Sequence, residues 1–583
     1  MRALGLLALL VFTSACRAEA PPPEPTLAPQ SPTFARPDTI PAPVTADRAM
    51  VVSGHPEASR IGVAVMREGG NAVDAAVAVA FALAVVSPDA GNVGGGGFLV
   101  WRGADGTATS FDFRETAPGA ASRDMYLGPD GRPDPRRSTR GHLAAGVPGT
   151  VAGLLLAHER LGTLALARLV DPAIRLARDG QWLTGRNALL FNRYRGEFEA
   201  FGSTSRYFVR EDGRAHRPGD KFRQPDLARV LKRIRDRGRD GFYRGETADL
   251  IVAEMRRGGG LITHDDLAGY RAVERPVLEG HYRGHRVLTM GPPSAGGVSL
   301  LQTLRALEAY PLREMGFQSP EHVHLTAEAL RRAFADRARW LGDPDRADVP
   351  AAALVDSAYV AARMADVDPR ATTPSREVQG GEPWTEGTET THFSVVDPEG
   401  NAVSLTTTIN DYYGSKVVVD GAGFFLNDEM DDFASAPDSP NLWGLVQGDA
   451  NAIAPGKRMV SSMTPTIVED ERGRLALVTG SPGGGRIVST VLASVVNVVD
   501  FGMDAQTAVT LPRFHHQWLP DELEVEPGLP DSTLTALRVR GWSLDRLTRF
   551  GAANVIVVRR EGERTWLEGG ADPRRADNEA RGF

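Results

Sequence analysis

The sequence holds a single cysteine, Cys16, among 583 residues. One cysteine cannot close an internal disulfide, and its isolation excludes cysteine-ligated zinc and iron–sulfur centres. Lysine is almost as scarce. Lys221, Lys232, Lys416 and Lys457 are the only four, so arginine supplies 62 of the 66 basic residues. That imbalance reads as codon bias and carries no functional weight. A basic surplus is also missing: the formal net charge is −8, which leaves no electrostatic footprint for general nucleic-acid binding. No stretch is long and apolar enough for an ordinary transmembrane helix, which needs about 20 residues. Ala72 to Val86 comes nearest, but it is alanine-rich and carries Asp74, and it predicts a buried helix. Internal repeats are absent. What is present is ordinary: 42% hydrophobic and 24% charged residues, which excludes bulk disorder and collagen-like repeats. A chain this long buries a substantial core, and length alone suggests about four domains.

The N-terminus departs from this globular composition. Met1-Arg2 precedes an apolar run from Ala3 to Phe12 and then Thr13-Ser14-Ala15-Cys16. A positive start, a short apolar stretch and small residues make residues 1–20 an export signal. Cys16 after Ser14-Ala15 resembles a bacterial lipobox, with Thr13 where an aliphatic residue is usual. Lipidation at Cys16 would tether the protein to a membrane through the lipid alone. Arg17 is not an inner-membrane retention aspartate, which points to the outer membrane facing the periplasm. The alternative is a plain signal peptide cut near Ala18-Glu19-Ala20. Residues 21–45 are proline-rich with almost no apolar clusters and read as an extended linker. The globular body begins at about residue 46.

Several conspicuous features read as structural. Gly91-Asn92-Val93 and the run Gly94 to Gly97 fit neither a phosphate loop nor a dinucleotide fingerprint, and imply close backbone packing or a tight turn. Ser319-Pro320-Glu321 starts a helix, with a capping serine and proline at the first turn, that runs to about Trp340. It carries His322 and His324, but residues two apart do not share a helix face. His515-His516 has no carboxylate at ligand spacing. No metal site is expected at either pair.

The chemistry concentrates after residue 390. Thr390 to Asp397 and Asn401 to Asn410 are two β-rich runs around Pro398-Glu399-Gly400, a hairpin with Gly400 suited to the left-handed position. If Asp397 pairs with Asn401, Thr390 lies opposite Thr408. By the period of two, Thr390, His392 and Ser394 share a face with Thr408, Thr406 and Ser404. Phe393, Val395, Val403 and Leu405 share the other. Opposed Cβ atoms lie about 4.5–5.5 Å apart, close enough for a threonine–threonine hydrogen bond. The plain alternative is a half-exposed hairpin whose threonines merely suit β structure.

Three later motifs add to this. Asn427 to Phe433 sets carboxylates beside apolar residues, and Ser461-Ser462-Met463-Thr464-Pro465 supplies hydroxyls. Gly480-Ser481-Pro482-Gly483-Gly484-Gly485 precedes a helix-like run from Ile487. Glycines at a helix start leave backbone N–H groups outward, an oxyanion site. The spacing lacks a nucleophile elbow, which disfavours an α/β-hydrolase.

Over nearly its whole length after the linker, the chain resembles the γ-glutamyltranspeptidase family. The matching stretches are EGGNAVDAAVAVAFALAV, GNVGGGGF, DFRETAP, PGTVAG, GGLIT, TTHFSVVD, LNDEMDDF, SSMTPTIV, TGSPGGGRI and PRFHHQWLPDE. The resemblance implies an α+β fold, a four-layer αββα sandwich of the N-terminal-nucleophile hydrolase type. It implies a precursor that cuts itself between Glu389 and Thr390. A large subunit (46–389) and a small one (390–583) then remain as an interwoven heterodimer. Thr390 becomes the nucleophile and its freed amine the base, with Thr408 as the second threonine. Arg114 looks like the grip on the substrate α-carboxylate, where a planar fork suits two oxygens. Asp432 resembles the partner of the α-amino group, and Asn410 and Glu429 are further α-group contacts. Ser461 and Ser462 match the serine pair at the carboxylate. Gly483 and Gly484 match the oxyanion glycines. Residues 441–448, with Trp443 where tyrosine is familiar, resemble a lid loop. The implied activity is cleavage of the γ-glutamyl amide of glutathione and related compounds, with transfer to water, amino acids or dipeptides, and without a cofactor or metal. A glutaryl or cephalosporin acylase of the same fold would not need Asp432. A non-catalytic surface lipoprotein would not need Thr390, Thr408 or the glycine pair.

Overall fold

In the computed structural model, which describes residues 40–583 apart from 92, 380–389, 437–439, 443 and 548, the period-two pattern around Gly400 folds as a hairpin. Its strands are Thr391–Val396 and Ala402–Thr408, with Thr391 opposite Thr407 and Val396 opposite Ala402. Gly400 takes φ 89° and closes the turn with an N–H donated to Asp397 O at 3.1 Å. Cys16 and the export signal, the linker up to residue 39, Glu389 and Trp443 lie outside the described residues. The strand Val44–Ala46 already pairs with Leu567–Gly569, so the folded body begins two residues before 46.

The hairpin sits at the centre of one of two seven-stranded sheets. Its sheet runs in the order Glu579–Gly582, Met50–Ser53, Thr391–Val396, Ala402–Thr408, Gly96–Arg102, Ala108–Asp112, Val273–Arg275. The other runs Val44–Ala46, Arg564–Ala571, Asn554–Glu561, Leu475–Thr479, Thr466–Glu469, His285–Thr289, Leu278–Tyr282. All the pairings within these two sheets are antiparallel. The sheets stack face to face, and helices cover both outer faces, Ala72–Val86 on the hairpin's sheet and Ala295–Leu307 and Arg486–Val499 on the other. This is the expected αββα sandwich. Each sheet combines strands from before and after residue 390.

The helix Ala72–Val86 is buried along its entire length. Asp74 does not contradict that burial. It closes a capping box with Asn71 and accepts hydrogen bonds from Thr163 N–H and Oγ1–H, the latter at 2.5 Å. The hairpin's apolar face, Phe393, Val395, Val403 and Leu405, joins this helix in one core cluster. Burying each such side chain is worth about 1.5–3 kcal/mol.

The hydroxyl face looks the other way, into the space between the sheets, so the hairpin is buried on both sides and not half-exposed. Its polar groups are paired across that space or with one another. Ser394 Oγ donates to Asn554 O at 2.8 Å. Ser404 Oγ donates to Thr479 O at 2.9 Å and accepts Thr466 N–H at 2.9 Å. His392 bonds Thr406 Oγ1 at 2.9 Å and Ser394 Oγ at 3.1 Å. The glycine run packs as expected: a Cβ on Gly95 would stand 2.0 Å from Thr408 O, and one on Gly97 2.3 Å from Thr406 O. Larger residues would push the neighbouring strand, and Thr408 with it, out of place. No helix among the described residues is long and apolar enough to cross a membrane.

Candidate active site

Thr390 stands at the open end of the hydroxyl face, immediately before its strand, and is 4% exposed. Its Oγ1 lies 3.4 Å from Thr408 Oγ1, the partner the register predicts. Thr408 Oγ1 also accepts the Asn410 N–H at 2.8 Å. Asn410, two residues past the strand's end at Thr408, has φ 75°, a left-handed conformation that asparagine tolerates better than most residues. Its Nδ2 donates to Asp428 O at 3.0 Å. One pocket collects Thr390, Thr408, Asn410, Arg114, Glu429, Asp432, Ser461, Ser462 and Gly484, with Leu445, Met463 and Ile487 as apolar walls.

Arg114 is fully buried. Its guanidinium bridges Glu429 and Asp432, bonds Glu115 Oε2 at 3.3 Å, and donates to the carbonyls of Met459 at 3.3 Å and Val460 at 3.1 Å. The sequence reading set Arg114 on the substrate α-carboxylate and Asp432 on its α-amino group; here the two side chains bond each other. Burial disfavours the Arg114 cation, but Glu429 and Asp432 outweigh it and raise its pKa. Burial also raises the pKa values of Glu429, Asp432 and Glu115 against the pull of Arg114. Three carboxylates around one guanidinium repel one another, which adds to burial in raising their pKa values.

Two polar atoms at this pocket have no hydrogen-bond partner among the described residues: Glu429 Oε1 and Ser462 Oγ. Buried polar atoms are rarely left so. Ser461 Oγ accepts Met463 N–H at 3.2 Å. Gly484 lines the pocket and Gly483 stands next to it outside the lining; both precede the helix Arg486–Val499 at φ 54° and 135°, where a side chain is strained. That backbone presents N–H groups at a helix start.

The sequence matches the family described as Gamma-glutamyltranspeptidase over residues 58–582. The chain belongs to the γ-glutamyltranspeptidase family. It is 44% identical over 585 residues to the glutathione hydrolase proenzyme of Escherichia coli (strain K12), spanning 100% of this chain and 99% of that protein. Among solved structures, a cephalosporin acylase from Bacillus halodurans aligns at TM-score 0.83 and 26% identity, covering 96% of this chain and 99% of its own. The γ-glutamyltranspeptidase of Helicobacter pylori aligns at TM-score 0.56 and 41% identity, covering 60% of this chain and 97% of its own. The fold class is that of the family's N-terminal-nucleophile hydrolases, and the chain is an enzyme of that group.

Within this γ-glutamyltranspeptidase fold, the lid-like stretch lies directly over the carboxylates. Asn441 Nδ2 donates to Asp432 Oδ1 at 2.7 Å, Leu442 N–H to Asp431 Oδ2 at 2.5 Å, and Gln447 Nε2 to Asp432 O at 2.7 Å. Asp431, buried and held by Ser138 Oγ at 2.6 Å, has its pKa pushed up to about 7 by burial. The histidine pairs take structural places. His322 Nδ1 accepts Gln318 N–H at 3.1 Å and His324 Nδ1 accepts Trp542 Nε1–H at 3.0 Å. His515 bonds Ser489 Oγ at 2.6 Å, and His516 Nδ1 accepts Trp518 N–H at 3.1 Å. Sequence reasoning missed Glu115, although it follows Arg114 inside the matched DFRETAP stretch. It also missed Arg337, buried on the helix Pro320–Trp340. Burial, partly offset by Asp432, lowers the Arg337 pKa to about 10. No quoted motif contains Arg337.

Proposed function

We propose that this protein is a γ-glutamyltranspeptidase and glutathione hydrolase, made as a precursor that cuts itself before Thr390. The observation that carries the reading is the Thr390–Thr408 hydroxyl pair facing the Arg114, Glu429 and Asp432 cluster across one pocket. A γ-glutamyl group ends in one carboxylate and one ammonium. Its carboxylate suits the Arg114 fork, where it takes the places of Glu429 and Asp432, and the Ser461 and Ser462 hydroxyls. Its ammonium suits Asp432, Glu429 and Asn410, and it balances the negative excess around Arg114.

In the precursor, Thr390 Oγ1 attacks the Glu389 carbonyl carbon. The C–N bond breaks, the departing Thr390 nitrogen takes the hydroxyl proton, and an ester forms. Water hydrolyses the ester, which leaves a Glu389 carboxylate and a free Thr390 amine. In turnover that amine takes the Thr390 hydroxyl proton as Oγ1 attacks the γ-carbonyl carbon, with Thr408 orienting the hydroxyl. The Gly483 and Gly484 N–H groups hold the developing oxyanion; losing one such donor costs about 2.7–4 kcal/mol. The leaving amine departs with the proton, and water or an acceptor amino acid or dipeptide resolves the γ-glutamyl ester. No cofactor is required. The large and small subunits stay packed together. Export through residues 1–20, with lipidation at Cys16 and an outer-membrane, periplasm-facing location, completes the proposal.

The likeness to a cephalosporin acylase makes a glutaryl amide the informative competitor, since it lacks the ammonium that Asp432 and Glu429 suit. Purified protein is assayed with glutathione, a γ-glutamyl anilide and a glutaryl anilide, with and without a dipeptide acceptor. Release of amine from the two γ-glutamyl donors, and little from the glutaryl compound, is expected. Turnover of the glutaryl compound alone would overturn the reading.

A further inference from the structure

The matched stretch PRFHHQWLPDE lies outside the pocket, and the catalytic reading leaves it without a task. In the fold it grips the chain that leads to the cut. Residues 372–378 form only a short turn at Ser375–Glu377, yet groups of Thr372, Thr373, Ser375 and Val378 are each held by hydrogen bonds. Trp518 Nε1–H donates to Ser375 O at 3.0 Å and to Val378 O at 3.2 Å. Asp521 accepts Ser375 N–H at 2.8 Å and Ser375 Oγ–H at 2.7 Å. Glu328 accepts Thr373 N–H at 2.9 Å. Arg331 bonds Ser375 Oγ, Thr372 Oγ1 and Asp521 Oδ1, each at 3.0 Å. Thr372 N–H donates to Arg540 O at 2.8 Å.

Two features mark this grip as more than general packing. Trp518 is buried at φ 71°, a left-handed conformation that costs a bulky residue about 1–3 kcal/mol and persists only where surroundings impose it. Burial alone would raise the Asp521 pKa, but the hydrogen bonds from His516 and Ser375 and the Arg331 charge hold it well below the usual carboxylate range. Its charge is thus available to both Ser375 donors at any working pH.

We propose that Trp518 and Asp521 are positioning residues for self-cleavage, fixing the incoming chain at Ser375 and Val378 so that the bond before Thr390 meets the Thr390 hydroxyl. The proposal rests on the self-cutting reading above. Eleven residues, 379–389, join Val378 to Thr390. The attack needs its reacting atoms about 3–3.5 Å apart and aligned. With both ends of the connecting chain anchored, the entropy of closing it is lost during folding and not in the cutting step. The holders Trp518 and Asp521 lie beyond the cut, so the grip spans the two fragments and touches no substrate group.

Precursors carrying Trp518→Phe, Asp521→Asn or Ser375→Ala are followed by intact mass as they cut, far below their melting temperatures. Each should cut about tenfold or more slowly than wild type, while the matured fraction keeps kcat/KM for a γ-glutamyl anilide within about twofold. Ser375→Ala removes a single hydroxyl and carries the test if the larger changes prevent folding. Folded variants that cut at the wild-type rate overturn the proposal, even with a lower Tm, because a purely stabilising role moves Tm alone. Losses of cleavage and kcat/KM in parallel also overturn it. Wild type that never cuts at Thr390 overturns the self-cutting reading itself.

Discussion

The hairpin Thr391–Thr408 and the cluster around Arg114 are both buried, touch the same pocket, and are built by opposite means. The hairpin uses neutral hydroxyls: Ser394 and Ser404 are answered by the facing sheet and Thr406 by His392 of the hairpin itself. The cluster uses charge: one guanidinium among Glu115, Glu429 and Asp432, more negative than positive and short of hydrogen-bond donors at Glu429 Oε1. In the neutral layer the Ser394 and Ser404 hydroxyls are paired, while Thr479 Oγ1 and Asn554 Oδ1 of the facing sheet have no partner among the described residues; no charge is left unbalanced there, and the layer carries the strand that ends at Thr408. The charged cluster has a carboxylate oxygen without a donor, and under the proposed function a substrate with one carboxylate and one ammonium completes it. Rigidity and recognition are thus assigned to different chemistry within one pocket.

The contrast breaks most sharply at Arg114. Arg114→Ala should lower kcat/KM for γ-glutamyl donors by about 100-fold or more and leave self-cleavage largely intact, because the cut needs no α-group recognition. It also strands three buried carboxylates; removing one partner of a buried ion pair costs about 3–5 kcal/mol. Those carboxylates escape that cost by staying protonated, so the stability loss should be greater at pH 8 than at pH 5. Denaturant melts at both pH values, with steady-state kinetics, check this. Near-wild-type kcat/KM would remove Arg114 from the substrate site.

The same comparison is sharpened from the hairpin's side by Ser404→Ala. It leaves the buried Thr466 N–H and Thr479 O unpaired at a cost of about 1–3 kcal/mol. No titrating group takes part, so the loss should be equal at pH 5 and pH 8. A loss that changes with pH would contradict the neutral reading of the inter-sheet layer.

Asp431 gives the smallest effect. Its folded-state pKa, about 7, lies above the ordinary carboxylate value. Between about pH 4 and pH 7 the folded chain therefore binds a proton that the unfolded chain has lost. Stability from this group is full at low pH, falls as pH rises through that window, and stays low above it. Asp431→Asn keeps groups for Ser138 and Leu442 without the charge, and should flatten the Tm profile between pH 5 and pH 8. An unchanged slope would exclude Asp431 as its source.

These two regions were also unequally legible in the sequence. Alternation from Thr390 to Thr408 with one turn glycine determined the hairpin's register and placed Thr390 against Thr408. Capping and periodicity likewise placed Pro320–Trp340 and Ala72–Val86. Local patterns carry such information because strand and helix periods are fixed by backbone geometry. The sandwich itself came from family resemblance. Nothing local announces that Arg114 meets Glu429 and Asp432, 315 and 318 residues away. Asp431, Asp432, Glu115 and Arg337 differ only in what folding brings beside them. The burial of the hydroxyl face was hidden for the same reason: the sheet that covers it is built from strands at 466–479 and 554–571.

The central claim is that Thr390 is a nucleophile released by the chain's own cut. It is tested most directly by incubating purified precursor alone and reading the N-terminus of the smaller fragment, beside Thr390→Ala. The account predicts a 194-residue fragment beginning at Thr390 that copurifies with its partner, and a Thr390→Ala chain that stays whole and inactive. A fragment beginning elsewhere, or a wild-type chain that stays whole yet turns over γ-glutamyl donors, would contradict it.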